Sequence, residues 1–176
     1  MKRTLLIVAA LLLTGCANTE PVAQKGEVIS CGSVTTDKTI TDGISVECVD
    51  GSAGAVIQSL RGPMVLNVWG SWCTSCLAEM PEFVSFYSKA KGKVQLVGVA
   101  VEEAAPANSQ RFIVKHGMTW PNFYDRENKT RGYFGMGVPV TWFIDEQGTV
   151  VYKHVGVVKS TEELIDLTNK YLKVKI

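Results

Sequence analysis

An apolar run, Met64-Val65-Leu66-Asn67-Val68-Trp69, passes through Gly70-Ser71-Trp72 into Cys73-Thr74-Ser75-Cys76. This order calls for a buried strand, a tight turn and a helix whose first turn carries two thiols, and so for an α/β chain. A helix N-terminus presents unpaired N–H groups and a partial positive charge, which favour an anion. Cys73, at the start of that helix, is the thiol expected to ionise near neutral pH. Cys76, one turn inside, is placed to attack a mixed disulfide formed on Cys73. The pattern implies dithiol–disulfide exchange.

The remaining elements alternate. Residues 44–49 read as a strand and Asp50-Gly51 as a turn. A short helical patch (Val56, Ile57, Leu60) closes at Arg61-Gly62-Pro63. The thiol helix is expected over residues 73–91, kinked at Pro81, and residues 93–101 form a β-branched buried strand. Residues 102–108 read as a loop in which Glu102 and Glu103 are solvated. A helix over 109–116, an extended piece over 120–124 and a helical turn over 130–134 follow. Strands 140–145 and 149–155 flank Glu146-Gln147-Gly148 and should pair as a hairpin. Ser160 and Glu163 have capping-box spacing before a last helix that buries Leu164, Leu167 and Tyr171.

The start of the chain reads as a targeting segment. Lys2 and Arg3 precede an apolar stretch over residues 5–13 that is too short to span a bilayer as a helix. It ends in Leu13-Thr14-Gly15-Cys16, which resembles the lipobox of bacterial lipoproteins. The resemblance implies a signal peptide over residues 1–15 and a lipid-modified Cys16 holding the protein at a membrane surface. Residues 16–30 are polar and small, a flexible tether reaching roughly 20 Å, and residues 31–176 form the domain. Eighteen basic and seventeen acidic residues leave a net charge of +1, which gives no electrostatic case for nucleic acid.

Export changes the cysteine arithmetic. With Cys16 acylated, Cys31, Cys48, Cys73 and Cys76 remain, an even number suited to disulfides outside the cytoplasm. Three pairings are possible. The helix-start argument joins Cys73 to Cys76, which leaves Cys31 with Cys48 as a structural bond. Its closed loop of about 18 residues stabilises by roughly 3 kcal/mol in the chain-entropy model.

The run from Trp69 through Trp72-Cys73-Thr74-Ser75-Cys76 to Leu77-Ala78-Glu79-Met80-Pro81, together with Gly137-Val138-Pro139-Val140-Thr141-Trp142-Phe143-Ile144-Asp145, resembles the extracytoplasmic thioredoxin-like family of TlpA and ResA type. The similarity spans about residues 40–175. It implies a thioredoxin-like three-layer α/β fold, with a central mixed sheet flanked by helices. It also implies a cis Pro139 opposite the dithiol, with the Val138 backbone and Trp72 meeting an extended substrate peptide. Glu79, three residues after Cys76 on the same helix face, matches the acidic residue such proteins place near the dithiol. Asn67 stands where cytosolic thioredoxins carry a buried Asp and cannot accept a proton from the resolving thiol. Glu79 is therefore the candidate proton carrier for Cys76.

The same resemblance implies a reductase of exported proteins, with apocytochromes c among the candidate substrates. It also implies a transmembrane electron donor that would re-reduce the pair, and neither cofactor nor metal. Run in reverse, the site is an oxidase with a transmembrane acceptor. A competing class has Cys73 and Cys76 hold a soft metal such as Cu(I). It lacks a third ligand, since His116, His154 and the methionines have no suitable spacing.

Overall fold

The computed structural model describes residues 25–176. The expected signal peptide, Cys16 and the tether up to residue 24 lie outside them. Seven strands are β1 (Ser45–Cys48), β2 (Ala55–Val56), β3 (Met64–Trp69), β4 (Gln95–Ala100), β5 (Asn122–Tyr124), β6 (Val140–Ile144) and β7 (Val150–Val155). Among the described residues there are three α-helices, α1 (Thr74–Ala90), α2 (Pro106–Lys115) and α3 (Thr161–Leu172). The strands form one mixed sheet in the order β2-β1-β5-β4-β3-β6-β7. β3 pairs parallel with β4 and antiparallel with β6, so it lies inside the sheet and all six of its residues are buried. This is the thioredoxin-like fold.

Alternation along β3 divides the core. Val65 and Trp69 join the cluster built by Met80, Phe83 and Phe86 of α1, Phe112 and Ile113 of α2, and Leu164 of α3. Met64, Leu66 and Val68 face the other cluster, which Cys31, Cys48, Ile57, Phe134 and Trp142 complete. The sheet is thus the middle layer, with helices on one face and irregular segments on the other. Within α1 the buried residues Cys76, Met80, Phe83, Phe86 and Ala90 recur at helical spacing. Each fully buried Phe or Met contributes about 1.5–3 kcal/mol by area.

Several expectations need correction. The tether boundary at residue 30 falls inside the packed body: Gly26 N donates to Val114 O and Glu27 N to Met118 O, both at 2.9 Å. A Cβ at residue 26 would stand 2.1 Å from Ile113 O, so only glycine permits this approach. Ile29 then bridges Pro121. The helix after β4 starts at Pro106 rather than Ser109, since proline suits the first helical position. Residues 130–134 form turns and no helix. Ser160 does cap α3, its Oγ accepting from Glu163 N, but the Glu163 carboxylate accepts from Lys159 N instead of completing the box at Ser160.

The structure joins Cys31 to Cys48, with Cα atoms 5.8 Å apart and both side chains buried. The bond ties the 3-10 turn Cys31–Ser33 to β1, beside the backbone of β5 at Asn122. It lies in the core cluster opposite the helices.

Candidate active site

β3 ends at Trp69, whose indole stacks on Phe112 of α2 at 4.7 Å and donates to Asn122 Oδ1 at 3.1 Å. After the three residues Gly70-Ser71-Trp72 the chain enters α1 with Cys73 as N-cap, at φ −87° and ψ 106°. Cys73 Sγ accepts a hydrogen bond from Cys76 N at 3.0 Å. Capping positions favour an acceptor side chain, and a thiolate fills that role better than a neutral thiol. The two sulfurs are bonded, with Cα atoms 5.2 Å apart. Cys73 is 6% exposed and Cys76 0%, so an approaching group meets Cys73 first.

The Val138–Pro139 peptide bond is cis, and Val138 O lies 3.9 Å from Cys73 Sγ. Trp72, on the other flank, is 54% exposed, and its Nε1 donates to Val101 O at 3.3 Å. Between these flanks opens a cavity of about 420 Å³ lined by Trp72, Val101, Arg131, Phe134, Met136 and Val138. Met136 is fully exposed at its rim.

Glu79 is wholly buried, one helical turn beyond Cys76. Its Oε1 accepts from Asn67 Nδ2 at 2.9 Å and its Oε2 from Val158 N at 3.0 Å. Burial pushes the carboxyl up to about 7, against the pull of these two donors toward the ionised form. The group therefore changes charge near neutrality, where a proton carrier works best. Asn67, placed by alternation on the helix side of β3, serves as a donor to this acid.

The structure corrects the reading of Glu102 and Glu103 as a solvated pair. Glu102 is exposed, but Glu103 is buried, and its carboxylate accepts from both the backbone and the hydroxyl of Ser71. Ser71 and Val158 also escaped sequence reasoning. A backbone N–H such as that of Val158 carries no residue signature, and the Ser71–Glu103 contact joins positions 32 apart. Cys31 and Cys48 sit apart from this site, in the other core cluster. Among the described residues, no group of three or more His, Cys, Asp or Glu is arranged to hold a metal ion.

A helix-capping cysteine bonded to a buried one, opposite a cis proline on a thioredoxin-like sheet, defines a dithiol–disulfide domain. The chain belongs to the Redoxin family, whose profile matches residues 35–170. It is 31% identical over 150 residues to the thiol-disulfide oxidoreductase ResA of Geobacillus thermodenitrificans, covering 83% of this chain and 79% of that one. Against ResA of Bacillus thuringiensis it is 33% identical over 113 residues, 62% of this chain, and spans 64% of that relative's length. Among solved structures, StoA from Bacillus subtilis superimposes with a TM-score of 0.58 at 24% identity, over 71% of this chain and 95% of that one. MTB dsbF gives 0.63 at 24% identity, over 73% and 94%. These two likenesses bear on the fold.

Proposed function

We propose that this protein is a thiol–disulfide oxidoreductase that works through Cys73 and Cys76, as a reductase of exported proteins. The observation that carries the reading is the pairing of Cys73, capping α1 and accepting the Cys76 N–H, with a wholly buried Cys76. Relatives at about a third identity that bear the name thiol-disulfide oxidoreductase support it.

In the reducing direction, the Cys73 thiolate attacks one sulfur of a substrate disulfide. A bond forms between Cys73 Sγ and that sulfur, and the other substrate sulfur leaves as a thiolate. Glu79 takes the proton of Cys76, whose thiolate then attacks Cys73 Sγ. The second substrate sulfur departs, and the Cys73–Cys76 disulfide re-forms. Two electrons have passed to the substrate. The substrate chain lies extended between Trp72 and the Val138–Pro139 backbone, over the adjoining cavity. Its class is an exported protein with a cysteine pair, an apocytochrome c among the candidates, and a transmembrane donor restores the dithiol.

Cys16 carries the lipid anchor in this reading, and the segment after it tethers the domain outside the cytoplasm. No described helix is long and apolar enough to cross a membrane. Cys16→Ser should release the protein from washed membranes while its exchange rate stays that of the parent. Retention of the variant would count against the anchor.

The direction of exchange is tested by equilibrating the Cys73/Cys76 pair with a reference dithiol couple. A potential near about −300 mV fits a reductase, and one near about −120 mV would make the protein an oxidase. Loss of insulin reduction in Cys73→Ser is the accompanying check on the site.

A further inference from the structure

Glu103 takes no part in the dithiol chemistry above, yet it is 8% exposed and carries two hydrogen bonds to one residue. Its Oε1 accepts from Ser71 N and its Oε2 from Ser71 Oγ, the latter at 2.7 Å. Ser71 lies in the loop between Trp69, the last residue of β3, and the N-cap Cys73. The same loop is pinned a second time where Trp72 Nε1 donates to Val101 O. Because Trp69 pairs with Ala100 across the parallel strands β3 and β4, the two loops leave the sheet side by side.

The backbone supports this contact at some cost. Glu102 adopts φ +51°, a left-handed conformation that side-chain-bearing residues seldom take. Its own side chain turns outward to Arg131, at 3.7 Å, while Glu103 turns inward to Ser71. Local strain of this kind collects where a site must be held in place. A carboxylate so removed from water is tolerated when donors satisfy it, and Ser71 supplies two.

We propose that Glu103 is a positioning residue for the exchange reaction: by holding Ser71 it fixes the Trp72–Cys73 loop, so that Cys73 Sγ meets an incoming disulfide in the geometry of attack. The proposal rests on Cys73 being the nucleophile. Glu103 itself exchanges neither proton nor electron. Small displacements of a reacting atom are costly to rate, which is why a clamp one residue from the Trp72–Cys73 pair matters.

The test is steady-state reduction of insulin by the full chain, comparing Glu103→Gln, Ser71→Ala, Ser71→Thr and the Glu103→Gln/Ser71→Ala double variant. Removing the charge in Glu103→Gln, or the hydroxyl donor in Ser71→Ala, weakens the contact and should lower kcat about tenfold, with KM within about twofold of the parent. The double variant should be no slower than the slower single, because both changes act on the same Ser71–Glu103 contact. Ser71→Thr keeps the hydroxyl and should restore kcat to within about twofold. Single variants that match the parent, losses that multiply in the double variant, or a Thr variant no better than Ala would overturn the clamp. Should Glu103→Gln fail to fold, the Ser71→Ala and Ser71→Thr pair decides alone. Turnover that survives Cys73→Ser overturns the nucleophile assignment and the clamp with it. Turnover abolished by Cys73→Ser but indifferent to Ser71 and Glu103 overturns the clamp alone.

Discussion

Asn67 Nδ2 donates to Glu79 Oε1 at 2.9 Å, joining the middle of β3 to α1 one helical turn beyond Cys76. Both side chains are fully buried. A neutral amide thus stands beside a carboxyl whose charge the interior opposes, and Val158 N supplies the second donor. Asn67 Oδ1 has no hydrogen-bond partner among the described residues, so the amide serves this site as a donor. An acid that titrates near neutrality beside a buried thiol follows from that balance.

The first consequence is a pH-dependent stability. Glu79 has its folded value raised from 4.5 to about 7. Below pH 4.5 the carboxyl is protonated in both folded and unfolded chains, and its full contribution is present. As pH rises toward 7 the unfolded chain loses this proton first, so stability falls, by on the order of 3 kcal/mol once both forms are ionised. Urea unfolding of the oxidised protein from pH 4.5 to 8 should show this decline, and Glu79→Gln should flatten it. Parallel curves for the two proteins would contradict the assignment.

Asn67→Leu keeps roughly the volume and removes one of the two donors. The Glu79 carboxyl should then titrate above its present value, because a hydrogen bond favouring the ionised form is gone. Carboxyl infrared bands followed against pH read this directly. A midpoint unchanged or lowered would show that the amide does not act on the acid.

Glu79→Gln should also alter the thiols of the reduced protein. A nearby carboxylate disfavours thiolates, so its removal should lower their apparent pKa values and narrow the gap between them. In the proposed mechanism, proton removal from Cys76 then lacks its carrier, and mixed disulfides on Cys73 should live longer. Acid-quench trapping with a substrate disulfide measures their lifetime. Titration and trapping that both match the parent would leave the proton to exit through water.

Replacing Cys31 and Cys48 by serine should cost roughly 3 kcal/mol of stability, the value for a loop of this size, while leaving exchange intact. The bond is buried in the cluster opposite the helices, away from the Cys73–Cys76 pair. Mass spectrometry after mild reduction and alkylation should find Cys73 and Cys76 labelled with Cys31 and Cys48 still joined. A bridge from Cys31 or Cys48 to Cys73 would overturn the division of roles.

The legible parts of the fold were those with a local signal. The hairpin of β6 and β7 was readable because two apolar, β-branched runs flank the short break Glu146-Gln147-Gly148, and its strands pair antiparallel. Strand, turn and thiol helix were readable because each apolar run and break is contiguous. The two-residue strand β2 has no period to detect, and residues 26–29 pack through backbone bonds and a glycine contact that leave no apolar pattern. Glu79 stood out by its spacing from Cys76, but its burial depends on donors 12 and 79 residues away. Glu103, beside Glu102 after a strand, looked like ordinary surface charge because Ser71 is distant in sequence.

The central claim is that Cys73 is the nucleophile and Cys76 is shielded. Its most direct measurement is limited alkylation of the reduced protein as a function of pH, with each labelled sulfur identified by mass spectrometry. Cys73 should label first, with an apparent pKa below about 8.5, the value of a free thiol. Equal labelling of the two sulfurs, or Cys76 reacting ahead of Cys73, would contradict it.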